Sequence, residues 1–243
     1  MDTNTVKKLI RLNQQFYQTF AFQFAETRQR LQPGVIKMLE MLPSQAKILD
    51  LGCGNGELAR QLSQREHQAA YIGLDFSLEL LDVARERIPK SPHISFAPAD
   101  LSDRDWPSTI GLQPSSFDIV LAFATFHHLP SRELHRQTLT NIHSLLTPGG
   151  SLIHSNWQFL NSPRLRVRVQ PWGTIGLTSA KVDPGDYLLD WRRGGYGLRY
   201  VHHFDEEELH SLAAETGFEI IDSFCSDGKE GNLGLYQIWE KKA

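Results

Sequence analysis

Apolar residues follow two different spacings along this chain. Short apolar runs between turn residues indicate buried strands, and apolar residues three or four positions apart indicate amphipathic helices. The predicted strands are Ile48–Leu51, Ala69–Leu74, His93–Phe96, Phe117–Ala122, Ser151–Asn156, Phe218–Phe224 and Leu233–Trp239. The predicted helices are Val6–Phe24, Pro33–Leu42, Leu78–Arg87, Arg132–Leu146 and Glu206–Thr216, with one more beginning at Glu57. This alternation predicts successive β-α units in an α/β fold.

The first strand leads into a turn that is almost free of side chains. In KILDLGCGNGELAR, Gly52, Gly54 and Gly56 separate the strand from the helix that begins at Glu57. Glycine backbone can pass close to a ligand, and the free amides at a helix start can face it. The spacing is G-x-G-x-G after Asp50, whereas a dinucleotide fingerprint is G-x-G-x-x-G. For this motif alone, a tight turn without a ligand remains the alternative.

An aspartate follows each of the first three strands or closes it. Asp50, Asp75 and Asp100 recur at intervals of 25 residues, as successive β-α units would produce. At the end of the second strand, Asp75 can accept hydrogen bonds from two ribose hydroxyls, and Phe76 is placed to lie against an adenine ring. Asp75 could instead be an ordinary helix-start residue, but its spacing from the glycine turn favours the ribose role.

These motifs resemble those of the class I S-adenosylmethionine (SAM)-dependent methyltransferases, of the type-11-like kind. The series FD-x-V, HH-L and L-x-P-G-G strengthens the resemblance. It implies a Rossmann-like, seven-stranded sheet that is mostly parallel, with an antiparallel C-terminal hairpin and helices on both faces. It also implies SAM as cofactor, S-adenosylhomocysteine as product, and contacts from Asp100 and Leu101 to the adenine. The candidate cofactor-binding residues are Asp50, Gly52, Gly54, Gly56, Asp75, Phe76, Asp100, Leu101 and Ala122.

Composition limits the class of protein. A chain of 243 residues with 40% hydrophobic content suits one α/β domain with an elaboration, or at most two domains. Cys53 and Cys225 are too few for a disulfide framework or a cysteine metal site, which predicts a reducing compartment. There is no signal-peptide pattern and no long apolar run, so we expect a cytoplasmic protein with no membrane partner. The net charge of −3 argues against a strongly basic nucleic-acid binder as a whole.

Charge divides the chain unevenly. Residues 158–204 hold seven arginines and lysines against three aspartates, a net charge of +4, which leaves −7 for the rest of the chain. We expect an N-terminal helical cap over 1–45, a SAM-binding core over 46–157, a basic substrate-covering insert over 158–204, and a C-terminal helix and hairpin over 205–243 that complete the core. Such an insert predicts an anionic acceptor, either tRNA or an acidic small molecule.

The insert contains a row of arginines and several aromatic residues. In Arg164–Val169 charged and apolar residues alternate, which predicts an extended strand with three arginines on one face, suited to phosphates. A solvated edge strand is the alternative. The aromatic residues that could stack on bases are Trp172, Tyr187, Trp191, Tyr196 and Tyr200.

Candidate acceptor and catalytic residues lie outside the glycine turn. Arg28 and Arg30 could hold a carboxylate through a bidentate pair, although exposed loop arginines would look the same. His127 and His128 follow the fourth strand and are the candidate catalytic bases, with a structural role given equal weight. Neither histidine has cysteines or carboxylates at metal-ligand spacing, so no metal site is predicted.

A narrower resemblance concerns the tRNA wobble-uridine carboxymethyl methyltransferases, which esterify a carboxymethyl group on the wobble base. FYQTFAFQFAETRQRLQPGV, DFSLELLDVARER, FATFHHLPSRELHRQTL and GDYLLDW…LRYVHHFDEEEL are similar to parts of that family. The insert is shorter, and the C-terminal GNLGLYQIW departs from the pattern. The resemblance implies a small activating protein partner and places Arg28, Arg199, Tyr200 and His202 near the acceptor. The full set of substrate-binding candidates is Arg28, Arg30, Trp157, Arg166, Arg199, Tyr200 and His202.

Three functions follow from this sequence. A carboxylate acceptor is a nucleophile at neutral pH and needs no general base. The chain has no constellation that must be a base, which favours a carboxylate acceptor, although His127 and His128 keep the alternative open. The first function is a carboxyl methyltransferase acting on modified tRNA. The second function is a small-molecule O-, N- or C-methyltransferase for an acidic metabolite. The third is a non-catalytic SAM- or RNA-binding regulator, against which the intact cofactor motifs argue.

Overall fold

The computed structural model describes residues 1–27, 30–65, 67–88 and 91–242, without the side chains of residues 24 and 27. The helices are α1 (Thr3–Thr27), α2 (Pro33–Glu40), α3 (Glu57–Gln64), α4 (Leu78–Arg87), α5 (Trp106–Thr109), α6 (Arg132–Leu145), α7 (Pro163–Arg166) and α8 (Glu206–Glu215). The strands are β1 (Ile48–Leu51), β2 (Tyr71–Asp75), β3 (Ile94–Pro98), β4 (Phe117–Phe123), β5 (Leu146–Trp157), β6 (Val169–Gln170), β7 (Asp186–Trp191), β8 (Gly197–His202), β9 (Phe218–Ser226) and β10 (Gly234–Lys241). A 3-10 turn, Phe126–His128, follows β4. None of the helices in these ranges is long and apolar enough to cross a bilayer.

Seven strands form the main sheet, in the order β3-β2-β1-β4-β5-β10-β9. Neighbours from β3 to β5 are parallel, and β10 is antiparallel to both β5 and β9. This confirms the predicted Rossmann-like sheet with an antiparallel C-terminal hairpin. The chain order reverses between β1 and β4, and ligands bind at such a switch point, outside the carboxyl ends of the strands.

Both faces of the sheet are covered by helices. All four residues of β1 are buried, which explains its unbroken apolar character apart from Asp50. One cluster packs Leu139 and Ile142 of α6 and Leu209 of α8 against the sheet, and a second packs α2 and α3 against the other face. The carboxyl ends of the strands are therefore left as the accessible edge for a ligand.

The predicted strand over Arg164–Val169 is wrong. Residues Pro163–Arg166 form α7, and of the predicted stretch only Val169 belongs to a strand, β6, which pairs with β7. Proline fits the first turn of a helix, because its φ is already helical and it has no amide to leave unpaired there. Arg164 and Arg166 are exposed, and residues two positions apart on a helix point in different directions, so the arginines do not share one face.

The insert also contains a small antiparallel sheet, in the order β6-β7-β8. Helix α1 packs on β8, where the Asn13 side chain forms the two hydrogen bonds to Tyr200 that the backbone of a neighbouring strand would form. Its side chain donates to the Tyr200 carbonyl (3.1 Å) and accepts from the Tyr200 amide (2.8 Å). Tyr200 and Trp191 are buried in this packing, so the prediction that they stack on bases is corrected.

A buried cluster of polar side chains ties the small sheet to α8. Asp186 accepts hydrogen bonds from the Tyr200 hydroxyl (2.6 Å) and from His202 Nδ1 (2.7 Å), and His202 Nε2 lies 2.8 Å from Glu208. Burial alone would lower the pKa of His202, but the hydrogen bonds to the two carboxylates raise it to about 9. His202 is therefore an imidazolium at neutral pH and joins β7, β8 and α8.

His135 of α6 lies next to this cluster. One potential ligand atom from each of His135, His202 and Glu208 lies within 4.8 Å of the others. Both nitrogens of His202 already face carboxylates, and the Arg132 guanidinium lies 3.9 Å from Glu208. We interpret the group as a charge-paired structural cluster.

We expect the free energy of unfolding to fall as the pH rises from 6.5 through about 9, because His202 then loses its proton. Its folded pKa is above the unfolded value, so the stabilisation is complete below the unfolded pKa and is lost above the folded one. The loss should be about 3 kcal/mol. Urea unfolding at both ends of this range, in the presence of EDTA, measures it.

Glu208→Gln should reduce this dependence on pH, since it removes one of the two charges that hold the proton. Glu207→Gln is the matched control, because Glu207 is the exposed neighbour on the same helix. If Glu208→Gln kept the wild-type slope of stability against pH, the assignment to His202 would be wrong.

Candidate active site

A cavity of about 530 Å³ lies at the carboxyl ends of β1, β2, β4 and β5. It occupies the switch point of the sheet, where an open α/β fold binds ligands. Ile10, Asn13, Gln14 and Tyr17 of α1 line one side, so the first helix lies over the cavity. Arg199 of β8 and the β9–β10 hairpin line the other sides.

The glycine turn forms the floor of this cavity. Gly52 has φ +73, and a Cβ atom there would lie 2.5 Å from Thr125 Oγ1. Gly54 has φ +55, and a Cβ atom there would meet nothing within 4 Å, so it would point into open space. Both backbone conformations are ones that side-chain-bearing residues rarely adopt. The turn therefore brings bare backbone against a ligand, as a cofactor would require.

Asp75 lies beside the turn with acceptor capacity to spare. Its Oδ2 accepts from the Gly54 amide (2.9 Å) and its Oδ1 from the Ser77 amide (2.9 Å). Each oxygen of a carboxylate has two lone pairs, so each can accept one further hydrogen bond. Burial raises the pKa of Asp75 despite these bonds. The two Asp75 oxygens are placed to accept hydrogen bonds from two neighbouring hydroxyl groups of a ligand.

Asp50 lies deeper at the same end of the cavity. Its carboxylate accepts a hydrogen bond from the buried Tyr71 hydroxyl. Its pKa is raised to about 7, chiefly by burial; the hydrogen bond from Tyr71 opposes this shift, and the nearby Asp75 adds to it. A carboxyl group in this position can accept from a cationic or N–H group of a ligand.

Asp100, which follows β3, also borders the cavity. Asp100 Oδ2 accepts from Gln14 Nε2 of α1 (2.8 Å), and Asp100 Oδ1 accepts from Ser102. The Phe76 ring packs edge-on against Tyr17, with centroids 6.0 Å apart. Helix α1 therefore contacts the residues that follow the neighbouring strands β2 and β3.

Arg199 is a buried cation in the wall of the cavity. Only 7% of it is exposed, and its Cζ lies 4.8 Å from the Trp157 ring, 5.5 Å from Phe16 and 5.8 Å from Trp191. Its Nε has no hydrogen-bond partner, and no aspartate or glutamate of the described ranges forms an ion pair with it. Burying a charge without a partner is costly. The arrangement can therefore pair with an anion that enters the cavity.

His127 and His128 both border the cavity and are held by protein groups. His127 Nδ1 lies 3.4 Å from the Trp157 amide, which donates to it. His128 Nε2 lies 2.6 Å from the Tyr17 hydroxyl, and Nδ1 lies 3.3 Å from the Tyr200 carbonyl. These contacts favour a structural role for both histidines, which shape the cavity and hold α1 in place.

A family model described as a methyltransferase domain matches residues 24–223 of the chain. This chain belongs to that methyltransferase family. SAM is the cofactor of this enzyme.

The methyltransferase is similar to several curated proteins. It is 30% identical to the malonyl-[acyl-carrier protein] O-methyltransferase of Halalkalibacterium halodurans, over 75% of this chain and 64% of that protein. It is 28% identical to the mouse (Mus musculus) tRNA (carboxymethyluridine(34)-5-O)-methyltransferase ALKBH8, over 64% of this chain and 22% of that protein. It is 34% identical to the trans-aconitate 2-methyltransferase of Deinococcus radiodurans, over 44% of this chain and 36% of that protein. The chain thus spans less than two thirds of each of these three relatives.

Solved structures share the fold of the methyltransferase. A SAM-dependent methyltransferase from Methanosarcina mazei superposes with a TM-score of 0.67 at 22% identity, over 87% of this chain and 98% of that one. A methyltransferase of Haloferax volcanii, solved in complex with the Trm112 methyltransferase activator, superposes with a TM-score of 0.65 at 16% identity, over 93% of this chain and 96% of that one. At these identities the likeness concerns the fold alone.

Most of the candidate cofactor residues of the methyltransferase border the cavity. They are Asp50, Gly52, Gly54, Asp75, Phe76, Asp100 and Leu101. Gly56 does not border it; a Cβ atom there would lie 2.7 Å from Ala84 Cβ, so its role is to let α3 and α4 approach. Ala122 is buried within β4, and the next two residues, Phe123 and Ala124, reach the cavity instead.

The candidate acceptor residues of the methyltransferase lie in different parts of the structure. Arg30, Trp157 and Arg199 border the cavity, whereas Arg166 is exposed outside it. Tyr200 and His202 are corrected, because both side chains point into the buried cluster with Asp186 rather than into the cavity. Arg28 lies outside the described residues.

Asn13 is a residue of the methyltransferase that the sequence analysis missed. Besides its two bonds to Tyr200, it donates to the His128 carbonyl (3.0 Å), so it joins α1 to β8 and to the turn after β4. Leu9 and Phe16, four positions before it and three after it, are buried on the same helix face. A lone polar residue on an apolar helical stripe was the signal that could have found it.

Proposed function

We propose that this methyltransferase transfers the methyl group of SAM to a carboxylate oxygen and forms a methyl ester. The observation that carries the proposal is Arg199, a buried guanidinium at the cavity wall with no carboxylate partner among the described residues. A guanidinium pairs with a carboxylate in a fixed, often bidentate geometry. An acidic acceptor would supply the charge that the buried arginine lacks.

When bound, SAM supplies an electrophilic methyl group. The protein then has to hold the acceptor oxygen within about 3 to 3.5 Å of the methyl carbon and to exclude water. A carboxylate is already deprotonated at neutral pH, so His127 and His128 are not required as bases. Their hydrogen bonds to Trp157 and Tyr17 support a positioning role.

The cofactor residues take their roles within the same proposal. Asp75 accepts from the two ribose hydroxyls, and Phe76 lies against the adenine. Asp100 receives the adenine amine, and the Leu101 amide meets the ring. Asp50 and the bare backbone of the glycine turn face the methionine part of SAM. All of these residues border one cavity, which supports the assignment.

The names of the three curated relatives support a carboxylate acceptor. Malonyl, carboxymethyluridine and trans-aconitate are all carboxylic acids or carry a carboxyl group. The three names differ in the molecule that carries the acid, which is an acyl-carrier protein, a tRNA or a small acid. Their common element is the acid, which is the group that Arg199 can recognise.

A carboxymethyl group on a modified tRNA is the second candidate acceptor. Arg164 and Arg166 are exposed on α7, and Leu165 between them borders the cavity, so basic side chains flank its mouth. Such a rim could contact phosphates. Acting on tRNA would also fit a small activating protein partner, for which the Haloferax volcanii complex is a structural precedent.

Methyl incorporation from labelled SAM into two fractions of a host lysate, bulk tRNA and small organic acids, tests the proposal. Asp75→Ala protein is the control for label that does not depend on cofactor binding. We expect label that mild alkali releases, because methyl esters hydrolyse there. Label that is entirely stable to alkali would overturn the carboxylate proposal. Ester label in tRNA would identify the second candidate, and a repeat with lysate protein added would reveal a required partner.

A further inference from the structure

We propose that the acceptor is a carboxylic acid with an apolar body, and that the body lies in an apolar arm of the cavity. This inference rests on the proposed function. The arm, which we call the hairpin arm, is lined by Leu31, Val35, Trp157, Leu165, Leu233 and Tyr236. It lies between α2, α7 and the β9–β10 hairpin.

The hairpin arm is continuous with the site of Arg199. Trp157 is the shared residue, because its ring lies 4.8 Å from Arg199 Cζ. Trp157 is also the last residue of β5 and pairs with Gly234, so Leu233 lies next to it. The Gln158 amide donates to the Leu233 carbonyl (2.8 Å) and holds the hairpin in that position. A carboxylate at Arg199 would therefore direct the rest of the acid past Trp157 towards Leu233.

Hydrogen bonds and close packing hold the far wall of the hairpin arm in place. Asp227 accepts from the Gly34 amide through Oδ1 (3.0 Å) and from the Tyr236 hydroxyl through Oδ2 (2.6 Å). A Cβ atom on Gly34 would lie 2.3 Å from the Tyr236 ring, so only glycine lets α2 pack this closely against the hairpin. Asp227 also borders the cavity, and its carboxylate holds α2 and Tyr236, so the hairpin arm offers a ligand apolar side chains and a negative charge that would repel a second carboxylate.

Charge limits the acceptor to one buried carboxylate. Among the described residues that border the cavity, Arg199 and Arg30 are the arginines, no lysine occurs, and Arg30 is exposed. Arg30 precedes Leu31 of the hairpin arm, but an exposed arginine offsets little of the cost of burying a second carboxylate against leucine, valine and tryptophan. Burial of apolar groups in the hairpin arm is favourable instead. Each methylene buried in such an arm should raise kcat/KM about three- to fourfold.

The experiment is a specificity series with the full chain and SAM. Straight-chain monocarboxylates from four to ten carbons are compared with dicarboxylates of equal length, and the methyl esters formed are quantified. We expect kcat/KM to rise about three- to fourfold per methylene until the arm is filled. We also expect each longer monoacid to exceed its matched diacid by about tenfold or more, because the second charge is buried without a partner.

Leu233→Asp should remove the dependence on chain length, because it places a charge in the hairpin arm. Leu233 is only partly buried, and its exchange is not expected to unfold the protein. Val167→Asp is the matched control, since Val167 is 76% exposed, next to α7, and does not border the cavity. The SAM affinity of each variant is measured alongside.

Different results would contradict the proposed function and the apolar acceptor. If SAM binds but no methyl ester forms in any acid or in tRNA, the proposed function fails. If esters form but diacids or the shortest acids are the better substrates, chain length has no effect, or only tRNA is esterified, the proposed function stands and the apolar acceptor is wrong.

Discussion

Replacing Arg199 with methionine is expected to lower kcat/KM for a carboxylate acceptor by about 30-fold or more, with the Kd for SAM changed less than about twofold. Truncating one partner of a buried, hydrogen-bonded charge pair costs about 2 kcal/mol or more, because the other charge stays buried without compensation. Methionine is apolar and flexible enough to fill much of the space between the rings of Trp157 and Phe16. Steady-state kinetics with an esterified acid, and a direct titration of SAM, measure the two quantities.

Two further variants make the Arg199 result specific. Arg199→Lys keeps the charge but loses the planar fork, so it should retain part of the activity. Arg193→Met is the matched control, because Arg193 is an exposed arginine of the same insert whose ion pair with Glu26 lies at the surface. An Arg199→Met enzyme with unchanged kcat/KM, or one that lost SAM affinity to the same degree, would remove Arg199 from the acceptor site.

Asp75→Ala is expected to weaken SAM binding by at least about 100-fold. Hydrogen bonds to a charged group contribute about 1.5 to 3 kcal/mol each, and Asp75 is assigned two of them to the ribose. The variant also removes the acceptor for the Gly54 and Ser77 amides, so the glycine turn loses its support. Isothermal titration of SAM gives the affinity, and thermal unfolding shows whether the fold is retained.

Arg166→Ala is the comparison for Asp75, since Arg166 lies outside the cavity and should leave SAM affinity unchanged. Asp75→Asn should fall between the wild type and the alanine variant, because an amide keeps one acceptor oxygen without the charge. Equal affinities of the Asp75→Ala and Arg166→Ala proteins would refute the ribose assignment.

The glycine turn and the strand-ending aspartates could be predicted because their geometry is local. A strand, a turn with positive φ and a helix start require particular residues within about ten positions of one another. Helix caps are equally local: the side chains of Ser77 and Asp205 accept from the amides of Leu80 and Glu208, three positions later. The order of such units along the chain predicted an α/β fold, and the family resemblance carried by the motifs implied the seven-stranded sheet.

The insert could not be predicted in the same way. Alternation over Arg164–Val169 satisfies the strand pattern, but a strand also needs a neighbour that supplies hydrogen bonds. Pro163 begins a helical turn instead, and Leu165 borders the cavity. In β8 both faces carry large side chains, so the sequence does not say which face meets the cavity and which meets α8.

The sequence by itself determined the order of the β-α units, and its motifs carried the family resemblance that implied the fold and the cofactor, because these motifs join residues that are close together in the chain. The tertiary structure alone decided that Arg199 faces the cavity while Tyr200 and His202 do not. The neighbours that define Arg199 come from α1, β5 and β7, which are brought together only by packing of the insert on the core. The acceptor site is non-local for this physical reason, and the hairpin arm beside it arises in the same way.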